Sequence, residues 1–199
     1  MARRQPTLRD EIRASGETPI DAAAAAERAD REDQGFLARE FLTWLCWHAD
    51  AEGGAFAGSG EVADFAITVG ARVLLRAPMG SVTDVMLKGP GTGLSADLRY
   101  AFAGGLSVRE ADLALEQGER AWTFGLAAES FDLKRVKLPE LLTEDDDDPA
   151  SAIDERIALL GALDAALRVA FAHFLGVRTR PAWTRSTVPA MRAWLESGT

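Results

Sequence analysis

The sequence holds one cysteine (Cys46), two histidines (His48 and His173) and one tyrosine among 199 residues. A lone cysteine excludes an internal disulfide and every CxxC metal pair. The two histidines lie far apart, so no HxxxH zinc motif exists. Cys46 and His48 are two residues apart, which on a helix turns their side chains about 160° away from each other. A local thiolate–imidazole nucleophile pair is therefore excluded. No GxSxG, GxGxxG or GxxxxGK[ST] pattern occurs. The glycine-rich EGGAFAGSGE at 52–61 has none of these spacings and is expected to be a flexible connection. No spaced Asp/Glu/Lys set inside a strand pair marks a magnesium site. The expectation is a protein that is not an enzyme, with no metal, no cofactor and no evident small-molecule substrate. A metal-dependent nuclease is kept only as an outside reading.

Long apolar runs are also lacking. None approaches the ~18 residues of a bilayer span, and no leader pattern opens the chain. With one cysteine, the simplest expectation is a reducing, cytoplasmic setting without a membrane partner.

Basic charge is scarce in sum, at −9 net, but the deficit is local. Residues 140–155 carry eight acidic side chains and no basic one, with DDDD at 145–148. This acidic loop, centred on 140–150, lacks the glycine and terminal Glu of an EF-hand and is expected to be a solvated linker. Residues 1–34 carry a net of −2, and the remaining body about +1. Such a balance argues against the broad DNA affinity of a highly basic protein, but leaves room for a local basic strip.

What the chain does have is a central apolar stretch, GFLAREFLTWLCWHAD at 35–50. At helical spacing Leu37, Phe41, Trp44, Leu45 and His48 line one side, widened by Leu42 and Cys46. A helix this apolar belongs in a core. The narrow remaining face holds Arg39, Glu40 and Thr43, with Phe36 and Trp47 beside them. Those two aromatics call either for loops of the same chain or for a partner.

Residues 1–34, with AAAAA at 22–26, have no apolar face to bury and are expected to be a disordered or loosely helical tail. Residues 35–199 form a single domain. Alternation predicts strands in EVADFAITV (61–69), RVLLRA (72–77) and VTDVMLKG (82–89), with a tight turn at Gly70-Ala71. GPGTGL breaks the sheet, and Ser95 caps a short helix, SADLRYAFAG. Two further strands, LSVREADLALE and AWTFGLA, are joined by a hairpin at Gln117-Gly118. ESFDLKRVKLP is extended. A long helix over 152–175 follows, with Ile153, Ile157, Leu160, Leu163, Leu167, Phe171 and Phe174 as its buried stripe. Asp164 and Arg168 pair along it at i,i+4, and His173 falls on the opposite, exposed face. The fold class is α+β: an antiparallel sheet of about five strands packed on the 36–50 helix and the long C-terminal helix.

Two segments mix basic and apolar residues. Lys134, Arg135 and Lys137 alternate with Leu133, Val136 and Leu138, which suits a strip that packs on one side and meets phosphate on the other, or an ordinary solvated connection. The C-terminus carries Arg178, Arg180, Arg185 and Arg192 against Glu196, with Trp183 and Trp194 among them. Arginine with aromatics suits a nucleic-acid backbone, but suits better an ordinary docking helix whose tryptophans anchor it to the core.

AREFLTWLCWHADAEGG resembles a segment in the C-terminal half of the recombination-associated RdgC family. The similarity continues through VMLKG (85–89), WTFGLAAESFDL (122–133), VKLPE (136–140) and VPAMRAWL (188–195), spanning about residues 35–197. The resemblance implies non-catalytic, sequence-nonspecific binding of double-stranded DNA by ring-like homodimers that limit access of the RecA recombinase, in a nucleoid setting. The resemblance covers only the C-terminal half of full-length members, so the expectation is a chain without their N-terminal half; no DNA-contact residue is carried over from the family. The expectation is a DNA-binding protein linked to recombination or nucleoid organisation, with phosphate contacts from Arg178, Arg180, Arg185, Lys134, Arg135 and Lys137. The alternative is a protein–protein interaction or dimerisation module without DNA binding, using Phe36, Trp47, Trp183 and Trp194.

Overall fold

A computed structural model describes residues 40–76, 84–89, 96–142 and 149–197. The expectations for the 1–34 tail, Phe36, the Ser95 cap and the centre of the acidic loop lie outside these residues. The described residues fall in one unit, Ala38–Thr199.

Four helices and six strands make up the described fold. Helix α1 covers residues 40–51. It is followed by β1 (Ala55–Phe56), β2 (Phe65–Arg76), β3 (Asp84–Lys88), α2 (Ala96–Ala103), β4 (Ser107–Gln117), β5 (Arg120–Ala127), β6 (Leu133–Lys137), α3 (Pro149–Arg178) and α4 (Val188–Glu196). The strands form one antiparallel sheet in the order β1-β2-β4-β5-β6, with β3 also paired to β2. The fold is α+β with a long C-terminal helix.

The β4–β5 hairpin turns where the sequence places it. Gln117 pairs with Arg120, leaving a two-residue loop whose Gly118 has φ +59°, a conformation glycine adopts without steric penalty. The expected turn at Gly70-Ala71 is corrected. β2 runs straight through it as one strand of 12 residues. Between Val69↔Leu113 and Val73↔Ala111 β2 spends four residues where β4 spends two, so Gly70 and Ala71 lie in a bulge. A two-residue excess preserves the alternation, and Phe65, Ile67, Val73 and Leu75 all stay on the buried face.

The buried faces of β2, β4 and β5 meet α1 and α3 in one core. Phe41 lies edge-on to Phe171 with centroids 5.3 Å apart, and Trp44 lies 5.4 Å from Phe174. The Trp122 indole of β5 donates to the Leu159 carbonyl of α3 at 3.1 Å, fixing that helix against the sheet.

The face that α3 buries differs from the expected stripe. Ala152, Leu159, Leu163, Ala166, Ala170 and Phe174 are buried. Ile153, Ile157 and Leu160 are 54%, 62% and 42% exposed. Large aromatic side chains already fill the space beneath the helix, so alanines let its backbone approach. Among the described residues α3 is the one helix long and apolar enough to cross a membrane by length and composition, with a mean hydropathy of 1.6 over an 18-residue window of which 28% is buried.

The inward position of the alanines predicts that Ala166→Leu destabilises the domain by about 1–3 kcal/mol through overpacking. Leucine is a good helix former, so a neutral or stabilising result in urea unfolding would place residue 166 at the surface instead.

Candidate nucleic-acid interface

The six cations expected to meet phosphate separate into two groups. Lys134 and Arg135 project from β6 onto the sheet face opposite the helices. There Glu110 of β4, buried at its carboxylate, accepts from Arg72 at 2.8 Å, Lys134 at 2.7 Å and Arg135 at 2.7 Å. Arg135 also pairs with Asp112. Burial alone would raise the Glu110 pKa, but the hydrogen bonds from Lys134 and Arg135 and the nearby charge of Arg72 outweigh it and lower it to about 2. Around the same face Arg76 pairs with Glu129 and Arg109 with Asp84, each at 2.7 Å. The basic strip of β6 is thus largely neutralised by acids of β4.

Backbone and side chain are both arranged for this. Arg135 has φ +51° at a register shift between β5 and β6, a conformation uncommon for a non-glycine residue. Its guanidinium crosses β5 over Gly125, where an added Cβ would lie 2.3 Å from Arg135 Nη2. A Cβ at 125 would push the guanidinium aside, so glycine gives Arg135 its direct path to Glu110 and Asp112.

The second group follows α3. Arg178 is half-buried, donates to Glu40 at 2.8 Å and lies 5.2 Å from the centre of the Trp183 ring. Trp183 begins a five-residue π-helical turn, Trp183–Thr187, that leads into α4. Arg180, Arg185 and Arg192 are exposed and form no ion pair with any described residue. Lys137, at the end of β6, is likewise exposed and unpaired among the described residues.

The tryptophans are not surface features. Trp47, Trp183 and Trp194 are buried, which corrects the alternative of a partner-docking face built from them and agrees with tryptophans that anchor the C-terminal helix to the core. On α1, seven of the eight residues 41–48 are buried, Trp47 among them, while Glu40 and Thr43 of the expected polar face are half-buried. Trp183 packs edge-on to Phe174 at 5.9 Å. Trp194 donates from its indole to Asp50 at 2.5 Å, and Arg99 both binds Asp50 at 3.1 Å and lies over the Trp194 ring. This clamp holds α4 to α1 and α2.

The residues screened for chemistry are placed as follows. Cys46 is fully buried and its thiol is pushed up to about 12, first by burial and then by Asp50, so it carries no thiolate at neutral pH. His48 bonds Glu52 at 2.6 Å through Nδ1 and donates from Nε2 to the Ala55 carbonyl at 3.2 Å. His173 is exposed, yet its ring lies 5.9 Å from Trp44. Burial of part of the ring, His48 and Arg180 all push its pKa below the usual imidazole value. Among the described residues no group of three or more His, Cys, Asp or Glu could hold a metal ion. An open cleft of about 250 Å³ between α3 and the sheet is lined by Phe41, Leu126, Phe131, Leu133, Leu167 and Phe171, with Asp164 and Arg168.

Sequence reasoning missed Glu110, the residue that decides the fate of three basic side chains. Its only signal was a carboxylate among the apolar residues of β4, next to Asp112. Compared with known proteins, the chain matches no family model and no curated sequence.

Two outcomes follow from the Glu110 network. A depressed carboxylate pKa stabilises the fold above the unfolded value near 4.5, and that contribution is lost as pH falls through about 2. Glu110→Gln is therefore expected to lower stability by roughly 1–3 kcal/mol at pH 7, and the gap to the native chain should close as pH falls from 4.5 towards 2. A gap constant across that range in denaturant titrations would contradict the assignment. Separately, Gly125→Ala should cost about 1–2 kcal/mol in the native chain but much less in an Arg135→Ala background. Equal costs in both backgrounds would show that the glycine serves something other than arginine access.

Proposed function

We propose that this chain is a non-catalytic DNA-binding protein that holds duplex phosphates through the arginines following α3. The observation that carries the reading is the exposure of Arg180, Arg185 and Arg192, each free of described carboxylate partners. Arg180 directly follows an arginine immobilised by Glu40 and Trp183, and Arg185 lies in the turn that buried Trp183 begins. Cations mounted on a fixed base lose less side-chain freedom on meeting phosphate. Phosphate contacts position a protein without reading sequence, so the expected binding is nonspecific. The resemblance of residues 35–197 to the RdgC family points the same way, to recombination or nucleoid organisation. Lys134 and Arg135 have no part in this reading, because Glu110 and Asp112 already occupy them. A second reading, a protein-interaction module without DNA binding, is favoured by the exposed apolar face of α3.

The test is fluorescence anisotropy with a labelled duplex across a salt series. Each phosphate contact contributes a slope of about −0.9 to log K against log salt. Arg180→Ala/Arg185→Ala should weaken binding at least tenfold at low salt and reduce the slope by about 2. Lys134→Ala should leave both nearly unchanged. Absence of binding by the intact chain at low salt would remove the DNA reading.

A further inference from the structure

The open cleft between α3 and the sheet has the size and lining of a small-molecule site. Its volume is about 250 Å³. A cavity of roughly 150 Å³ is enough for benzene, so one or two fused aromatic rings fit. Phe41 and Leu126, both buried, close the cleft on the core side. Phe131 and Phe171 add adjoining aromatic walls, with ring centroids 5.1 Å apart. Apolar and aromatic side chains with a few polar groups are the usual lining of such a site.

Phe131 takes its place there at a backbone cost. It has φ +57°, a conformation uncommon for a bulky side chain. The turn between β5 and β6 holds it. The Phe131 N–H donates to the Ala127 carbonyl at 3.0 Å, the Ala127 N–H to the Asp132 carbonyl at 3.1 Å, and the Ser130 hydroxyl to the Asp132 carboxylate at 2.6 Å. The ring set by this turn is 39% exposed. Glycine would suit the backbone better, so the turn itself does not ask for phenylalanine. Backbone strain of this kind gathers at ligand-binding positions.

The polar groups bordering the cleft set the chemistry of the ligand. Arg168 donates from Nε to Asp164 Oδ2 at 2.7 Å, and both residues line the cleft. The other Asp164 oxygen remains an acceptor and the terminal amines of Arg168 remain donors, none with a partner among the described residues. The pair carries no net charge, so an ion drawn by one member is repelled by the other. A neutral edge with an N–H beside a C=O satisfies both. We propose that the cleft binds a neutral aromatic lactam of one or two rings. Its rings lie against Phe131 and Phe171, its N–H donates to Asp164 and its carbonyl accepts from Arg168. The site lies outside the DNA and protein-interaction readings and rests on neither.

The probe is 2-quinolinone, a neutral two-ring lactam, titrated into the full chain by calorimetry and followed at the methyl resonances of Leu126, Leu133 and Leu167. N-methyl-2-quinolinone lacks the donor and should bind the native chain about tenfold more weakly. The anion quinoline-2-carboxylate should bind more weakly than the lactam. Asp164→Ala, at an exposed position, should weaken the lactam about tenfold and leave the N-methyl compound unchanged, a split that altered folding would not produce. Phe131→Gly and Phe131→Ala should each weaken the lactam about tenfold or more, with the glycine variant the more stable in urea because it accepts the left-handed backbone. No binding of 2-quinolinone by the native chain overturns the inference, as does an equal loss of both quinolinones in Asp164→Ala. Tighter binding of quinoline-2-carboxylate would assign the cleft to anions and overturn it too.

Discussion

The burial of α1 is the constraint on which the rest of the structure depends. A helix apolar on most of its circumference leaves only a narrow half-buried strip, Glu40 and Thr43, so other elements must close around the rest. The sheet and α3 cover one side, and the C-terminal elements complete the cover. Its two ends carry the polar fastenings. Glu40 receives Arg178 from the end of α3. Asp50 receives Arg99 of α2 and the Trp194 indole of α4. Both carboxylates are paired where they enter the protein interior, as a partly buried charge requires. The C-terminal segment is thus bound to the first described helix by side chains more than 130 residues away in sequence. That long reach makes Trp183 and Trp194 interior residues, as a docking helix anchored to the core by its tryptophans requires.

The sheet solves a different problem on its other face. Strands β4 and β6 bring Glu110, Asp112, Lys134 and Arg135 together across β5. The glycine in β5 and the left-handed arginine in β6 are local costs accepted for one multiply bonded carboxylate. A network with every member satisfied specifies strand register as well as charge balance. It also neutralises these cations while they stay exposed, which shifts the phosphate-binding proposal to the C-terminal turn.

The sequence made the type and order of most elements legible, because alternation and helical spacing are local signals. Leu113 and Leu115 against Trp122 and Phe124, with Gln117-Gly118 between, could only be a hairpin. Two features were not local. The Gly70-Ala71 bulge has the composition of a turn, and only the two-for-four register with β4 distinguishes it. The buried face of α3 was misassigned because selection by side-chain size favours Ile and Leu over Ala. The inward face is set by what lies beneath it, and Trp122 bonded to the Leu159 carbonyl leaves little space for large side chains. For the candidate site, the arginines were visible as composition. Their partners were not, since Glu110 lies 24 and 25 residues from the cations it binds.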